Sequence, residues 1–170
     1  MHVFSRLLDR LSLEPRRLAK EALLVRYFQE TPDPERGYAL AALTGDLKFK
    51  HAKPAVLKAL IAERSDETLF ALSYDFVGDL SETIALMWPA LPDDGASVER
   101  QRIELTGVVD ALETAGKTDA PRLIASWLDQ LDETGRWALL KLVTGGLRVG
   151  VSARLAKTAV ARLGDLSVSD

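Results

Sequence analysis

Thr144-Gly145-Gly146-Leu147-Arg148-Val149-Gly150-Val151-Ser152 has the residue types and spacing best suited to holding an anion. Three glycines within six positions flank a single arginine. Glycine adopts positive φ and lets a second backbone come close. Ser152 is a good N-cap for the basic amphipathic run Ala153 to Leu163. A glycine turn feeding a helix start leaves unpaired N–H groups facing outward, which is the chemistry of a phosphate site. The same residues also make an ordinary helix–helix connection with Gly145 as its C-cap.

Other reactive groups are sparse. Asp75 and Asp79 flank Phe76-Val77-Gly78, with Glu82 close by. Neighbouring carboxylates can do acid–base work, but at a helix end they serve equally as caps. His51 stands in a basic loop, where phosphate contact or plain exposure is expected, and His2 is terminal. No nucleophile elbow, Walker-type loop, metal-ligand cluster or His-Glu-x-x-His occurs. With no cysteine, disulfides and thiolate metal sites are excluded, and two histidines leave little scope for imidazole sites. Neither catalytic residues nor a cofactor or metal site are expected within these 170 residues.

The elements that must position the loop read as helices. A chain of 170 residues, 47% hydrophobic and 28% charged, fits one domain with a proper core. Arg6, Asp9 and Arg10 interrupt any leader-like apolar run at the start, and no run approaches membrane-spanning length. Val3, Phe4, Leu7, Leu8 and Leu11 predict a first helix. Pro15 opens a second, with Leu18, Ala22, Leu23 and Val25 expected inside, ending before Thr31-Pro32-Asp33-Pro34. A third runs from Arg36 to Leu43, and Pro54 opens a fourth. Ser65 or Asp66 caps the next, whose expected core face is Leu69, Phe70, Leu72, Phe76 and Val77. Gly78-Asp79 turns the chain into a helix stopped by Pro89. Pro89 to Val98 reads as a surface loop, and only Ser97 to Thr106 leaves room for an extended piece. Thr106 and Thr118 or Asp119 are expected N-caps of helices near Val108–Ala115 and Pro121–Leu131. The fold class is all-α, a bundle of about nine or ten short helices.

One hundred positions before the glycine loop, Leu43-Thr44-Gly45-Asp46-Leu47-Lys48-Phe49 matches Val143-Thr144-Gly145-Gly146-Leu147-Arg148-Val149. The lead-ins, Tyr38-Ala39-Leu40 and Trp137-Ala138-Leu139, align with a slip of one residue. A helix–loop–helix unit used twice predicts a pseudo-two-fold repeat. Charge follows the same division, although the net charge is −3. From Leu47 to Ala62 there is no acid, only Lys48, Lys50, His51, Lys53 and Lys58. From Trp137 to Gly164 there is again none, only Lys141, Arg148, Arg154, Lys157 and Arg162. Two basic loops of like shape suit two contacts to one polyanion backbone, made without reading sequence. The alternative is two ordinary solvated faces. A protein-interaction scaffold is the rival class, but solenoids need about three repeats or more and two are visible here.

With these features in hand, the chain resembles the N-terminal helical DNA-binding domain of ATP-dependent DNA ligases, the bacterial enzymes above all. Gly145-Gly146-Leu147-Arg148-Val149-Gly150 is similar to the family's Gly-x-Leu-Arg-(Ile/Val)-Gly loop. Gly78-Asp79-Leu80-Ser81-Glu82 is similar to its Gly-Asp-(Leu/Val) turn with a following acid. Arg16-Arg17-Leu18-Ala19-Lys20, Tyr27-Phe28 and Thr31-Pro32-Asp33-Pro34 resemble the opening of bacterial members. The likeness spans essentially the whole chain.

The resemblance implies a domain that grips nicked duplex DNA over the minor groove, without sequence specificity, and positions it for sealing. Gly145, Gly146, Leu147, Arg148, Val149, Gly150 and Ser152, with Arg154 and Lys157 on the next helix, would contact one stretch of backbone. Thr44, Gly45, Lys48, Lys50, His51 and Lys53 would hold the other. Lys50 stands where Gly150 does, a departure from relatives with a glycine-rich first loop. The family's adenylated lysine lies in Lys-x-Asp-Gly, and the nearest match, Lys117-Thr118-Asp119-Ala120, lacks the glycine and sits at a helix start. The implied enzyme is therefore an ATP- and Mg2+-dependent ligase of replication, repair or recombination. Its nucleotidyltransferase and OB-fold domains would lie C-terminal to this non-catalytic part and be its partners. A monomer, no membrane and a bacterial cytoplasm with the nucleoid are the matching expectations.

Overall fold

Phe4, Leu7, Leu8 and Leu11 lie on one stripe of helix α1 (His2–Leu13), and all four are buried. Full burial of each such side chain stabilises by about 1.5–3 kcal/mol. In the computed structural model, which describes residues 1–90 and 102–164, nine further helices follow. They are α2 (Arg17–Glu30), α3 (Glu35–Thr44), α4 (Pro54–Ala62), α5 (Glu67–Val77), α6 (Leu80–Met87), α7 (Leu105–Thr114), α8 (Asp119–Gln130), α9 (Glu133–Thr144) and α10 (Ala153–Ala161). The fold is all-α, with no strand among the described residues. Pro89 to Val98 lies largely, and Ser97 to Thr106 by half, outside those residues; the described part of the latter, from residue 102, holds no strand and runs into α7.

The duplication is larger than the loop motif suggests. Phe4, Leu7, Leu8 and Leu11 of α1 recur 101 positions on as Leu105, Val108, Val109 and Leu112 of α7, all buried. At a spacing of 100, Leu24 and Phe28 of α2 correspond to Ile124 and Leu128 of α8. At the same spacing, Ala39, Ala42 and Leu43 of α3 correspond to Leu139, Leu142 and Val143 of α9. At 99, Leu57 and Leu60 of α4 correspond to Ala156 and Ala159 of α10. Packing reciprocates: α1 lies on α9 and α7 on α3, while α10 lies on α2 and α4 on α8. That exchange is the pattern of a pseudo-two-fold repeat, α1–α4 against α7–α10, with α5 and α6 inserted between. The one-residue slip is not in the lead-in, because α3 and α9 run unbroken into matching caps. It lies in the following loop, one residue longer in the first repeat.

Three local expectations are corrected. The buried stripe of α2 is Lys20, Glu21, Leu24, Tyr27 and Phe28, whereas Leu18 and Ala22 face solvent. Periodicity favoured the apolar choice, but α10 and the loop before it pack on the face that carries Glu21 and Lys20. Thr106 does not cap α7; its backbone N–H donates to Glu35 Oε1 at 3.0 Å, a carboxylate supplied by the other repeat. Helix α5 has no buried residue, and Leu69, Leu72 and Phe76 point away from the core. The caps of α5 and α6 do form, from Asp66 to the Leu69 N–H at 2.7 Å and from Asp79 to the Glu82 N–H at 2.9 Å.

Candidate nucleic-acid interface

Both candidate loops begin from the same helix end. Gly45 (φ 79°, ψ 18°) and Gly145 (φ 70°, ψ 13°) take the left-handed conformation that ends α3 and α9. Gly45 donates to Ala42 and Asp46 to Ala41, at 3.2 and 2.9 Å; Gly145 donates to Leu142 and Gly146 to Lys141, at 3.2 and 3.1 Å. These paired bonds are a Schellman cap, satisfying carbonyls the helix leaves open. The hydroxyls of Thr44 and Thr144 lie 3.0 and 2.8 Å from the carbonyls of Leu40 and Leu140. Four positions after each capping glycine a buried side chain, Phe49 or Val149, pins the loop to the core. Between cap and pin, Lys48 and Arg148 both stand exposed.

Beyond the pins the loops diverge. Gly150 has φ 67° and lies directly over Lys20, whose Nζ donates to the carbonyls of Val149 and Gly150 at 2.7 and 3.1 Å. Lys20 is itself buried in α2. In a trans peptide the carbonyl and the following N–H point opposite ways. With the carbonyls of 149 and 150 drawn down to Lys20, the N–H groups of Gly150 and Val151 point away from it. Neither has an acceptor among the described residues, and nor do those of Leu147 and Val149. Ser152 then caps α10, its Oγ accepting from the Leu155 N–H at 3.1 Å. The first-turn N–H groups of Ala153 and Arg154 have no intrahelical acceptor. A row of backbone donors, a helix N-terminus and the exposed Arg148 thus share one loop.

The first loop holds more cations but is less ordered by the protein. Lys48, Lys50 and Lys53 are exposed and His51 is half-buried. Lys53 takes the N-cap position of α4 with φ −81° and ψ 159°, close to the φ −79° and ψ 156° of Ser152, but makes no side-chain cap. The position matching Lys20 is Ala120, so that buried ammonium is not duplicated. Asp46 stands where the second loop has Gly146, its carboxylate 2.5 Å from the Thr44 hydroxyl. A carboxylate there opposes an anion, so the second loop is the better suited of the two to one.

The sequence-predicted residues lie in the two loops, at Thr44, which ends α3, or on α10. Arg154 and Lys157 are exposed on α10, opposite the face formed by Leu155, Ala156 and Ala159. Among the described residues, Lys48, Lys50, Lys53, Arg148, Arg154 and Lys157 form no ion pair with a carboxylate. Arg162 is engaged, 2.6 Å from the buried Glu21. Lys141 is also engaged: its Nζ lies 2.5 Å from Asp79 Oδ2 at the start of α6, tying the second repeat to the insertion. Burial opposes ionisation of Asp79, but the Lys141 ammonium and the Glu82 and Ser81 N–H groups outweigh it and hold its carboxyl below the ordinary value. Thr118 makes no side-chain cap to α8, so Lys117-Thr118-Asp119-Ala120 marks a helix start without the bond expected there.

Lys20, which holds the second loop from below, is the residue that sequence reasoning missed. The signal was its place opposite Ala120 in the repeat, which becomes visible only once α2 and α8 are aligned. Among the described residues no group of three or more His, Cys, Asp or Glu side chains could hold a metal ion. No described helix is long and apolar enough to cross a membrane. No known protein family matches the chain, and no curated protein matches it.

Proposed function

We propose that this chain is the DNA-binding domain of an ATP-dependent DNA ligase, holding the backbone of nicked duplex DNA at two places through the repeated loops. What carries the reading is the arrangement around Arg148: unpaired backbone N–H groups on an exposed loop, drawn into place by Lys20, beside an unpaired guanidinium. Such donors bind phosphate oxygens, fix register, and carry no sequence information. Lys48 at the equivalent position of the other repeat supplies the second contact. Arg154 and Lys157 extend the basic face along α10.

The chemistry of sealing belongs to other domains, since Lys-x-Asp-Gly does not occur in the 170 residues. ATP and Mg2+ would serve those domains, and this one would position their substrate, acting in the cytoplasm with the nucleoid. Fluorescence anisotropy with nicked duplexes of unrelated sequence tests the reading. Affinities should agree within a few-fold among sequences and should fall at least about tenfold on Arg148→Glu, in line with the loss of a charge-assisted phosphate contact. Strong preference for one sequence, or indifference to Arg148→Glu, would overturn it.

A further inference from the structure

Helix α5 has no buried side chain, and α5–α6 has no counterpart in the repeat. Inward, Phe70 packs partly against the core and stacks on Tyr74 of the same helix at 6.1 Å, and Lys58 of α4 sits 5.3 Å from the Tyr74 ring. The other face is apolar too. Leu69, Leu72 and Phe76 are 56%, 63% and 93% exposed, and Leu86 of α6 is 58% exposed. Leu72, Phe76, Val77, Leu86 and Met87 line an open groove of about 320 Å³ between the two helices. Amphipathic helices are held in place by burying their apolar face. Here a second apolar stripe is turned outward, at the spacing i, i+3, i+7.

Charge states what should cover it. From Ser65 to Trp88 there are five carboxylates (Asp66, Glu67, Asp75, Asp79 and Glu82) and no lysine, arginine or histidine. Lys141 neutralises Asp79, while Asp75 neighbours Phe76 in sequence and Glu82 lies one turn before Leu86. This is the reverse of the basic loops, and it repels a polyanion. We propose that the α5–α6 groove docks a basic amphipathic helix of a protein partner, whose apolar stripe covers Leu72, Phe76 and Leu86 while its lysines or arginines meet Asp75 and Glu82. Helix-in-groove recognition uses this combination of spaced apolar anchors and a complementary charged rim. The inference stands on the α5–α6 surface alone and does not depend on what the loops bind.

The test uses two labelled, amidated peptides of about four helical turns, long enough to fold on a surface. One has leucine on one face and lysine on the other; the second replaces every lysine with glutamate. Anisotropy should show the leucine–lysine peptide binding the intact chain and the leucine–glutamate peptide binding far more weakly. Leu72→Ala with Phe76→Ala should weaken binding at least about tenfold, since such anchors dominate interfaces. Asp75→Asn with Glu82→Gln should weaken it several-fold and reduce its salt dependence. All four side chains are solvent-facing, so thermal unfolding should be nearly unchanged and a misfolded variant would be recognised. Equal binding of both peptides, or affinity unmoved by the Leu72 and Phe76 pair, overturns the proposal. Sedimentation showing self-association that Phe76→Asp abolishes also overturns it, since the groove is then covered by a second copy.

Discussion

Lys20 and Gly150 specify one another. The lysine ammonium accounts for the carbonyls at 149 and 150, and a Cβ built on residue 150 would fall 2.2 Å from its Nζ. Neither a larger residue above nor an apolar one below preserves this contact. The pair fixes which way the peptide planes of the second loop face, and so where its free N–H groups point.

Replacing Lys20 with methionine keeps an unbranched chain through the ε position and removes the donor. Two carbonyls then lose a charged partner, a loss worth about 1.5–3 kcal/mol. Chemical denaturation should register a destabilisation of that order. Nicked-duplex affinity should fall as well, although Lys20 is too buried to touch a phosphate. Unchanged affinity in a folded Lys20→Met variant would show that loop geometry is irrelevant to binding.

The glycines should rank. Gly45 and Gly145 have positive φ with open space around the missing Cβ, so alanine there meets only the left-handed penalty, about 1–2 kcal/mol. Gly150→Ala carries the same penalty and also displaces Lys20. Urea midpoints should therefore drop furthest for Gly150→Ala. Equal losses at all three positions would mean that Lys20 moves aside freely.

Asp79 gives a pH test. Folding lowers its pKa, so the unfolded chain takes up the proton first, and stability rises with pH across that window. The contribution is complete above the ordinary value of 3.8 and is lost as pH falls through the depressed folded value. Asp79→Asn keeps an N-cap acceptor for α6 but leaves Lys141 unpaired. Its denaturation midpoints should lie below wild type at neutral pH, and the difference should shrink as pH falls below about 4. A difference independent of pH would assign the loss to packing rather than to the ion pair.

Much of the fold was legible because helix signals here are local. Proline at the start of α4, glycine after α3, α5 and α9, and aspartate before α5 and α6 all act within one turn. Which face of a helix is buried depends on what lies opposite, and there the sequence misled. The apolar run of α5 looked like core, yet Leu72 and Phe76 meet solvent; α2 looked too polar at Lys20 and Glu21, yet the second loop covers Lys20 and Arg162 meets Glu21. The loops were readable from glycines and charge, but the support beneath the second came from a helix more than a hundred residues away in sequence. The full extent of the duplication was visible only as a short motif, because α1 and α7 share spacing more than residue identity.

The central claim is that the two loops act together on one duplex. The measurement is the affinity of nicked duplex DNA for the wild-type chain, Lys48→Glu, Arg148→Glu and the double variant, each followed across salt concentration. Each lost phosphate contact should flatten the log–log salt slope by about 0.9. The double variant should therefore bind more weakly than either single variant, with the flattest slope of the four. If the double charge reversal leaves low-salt affinity and slope equal to wild type, the two-loop grip is contradicted.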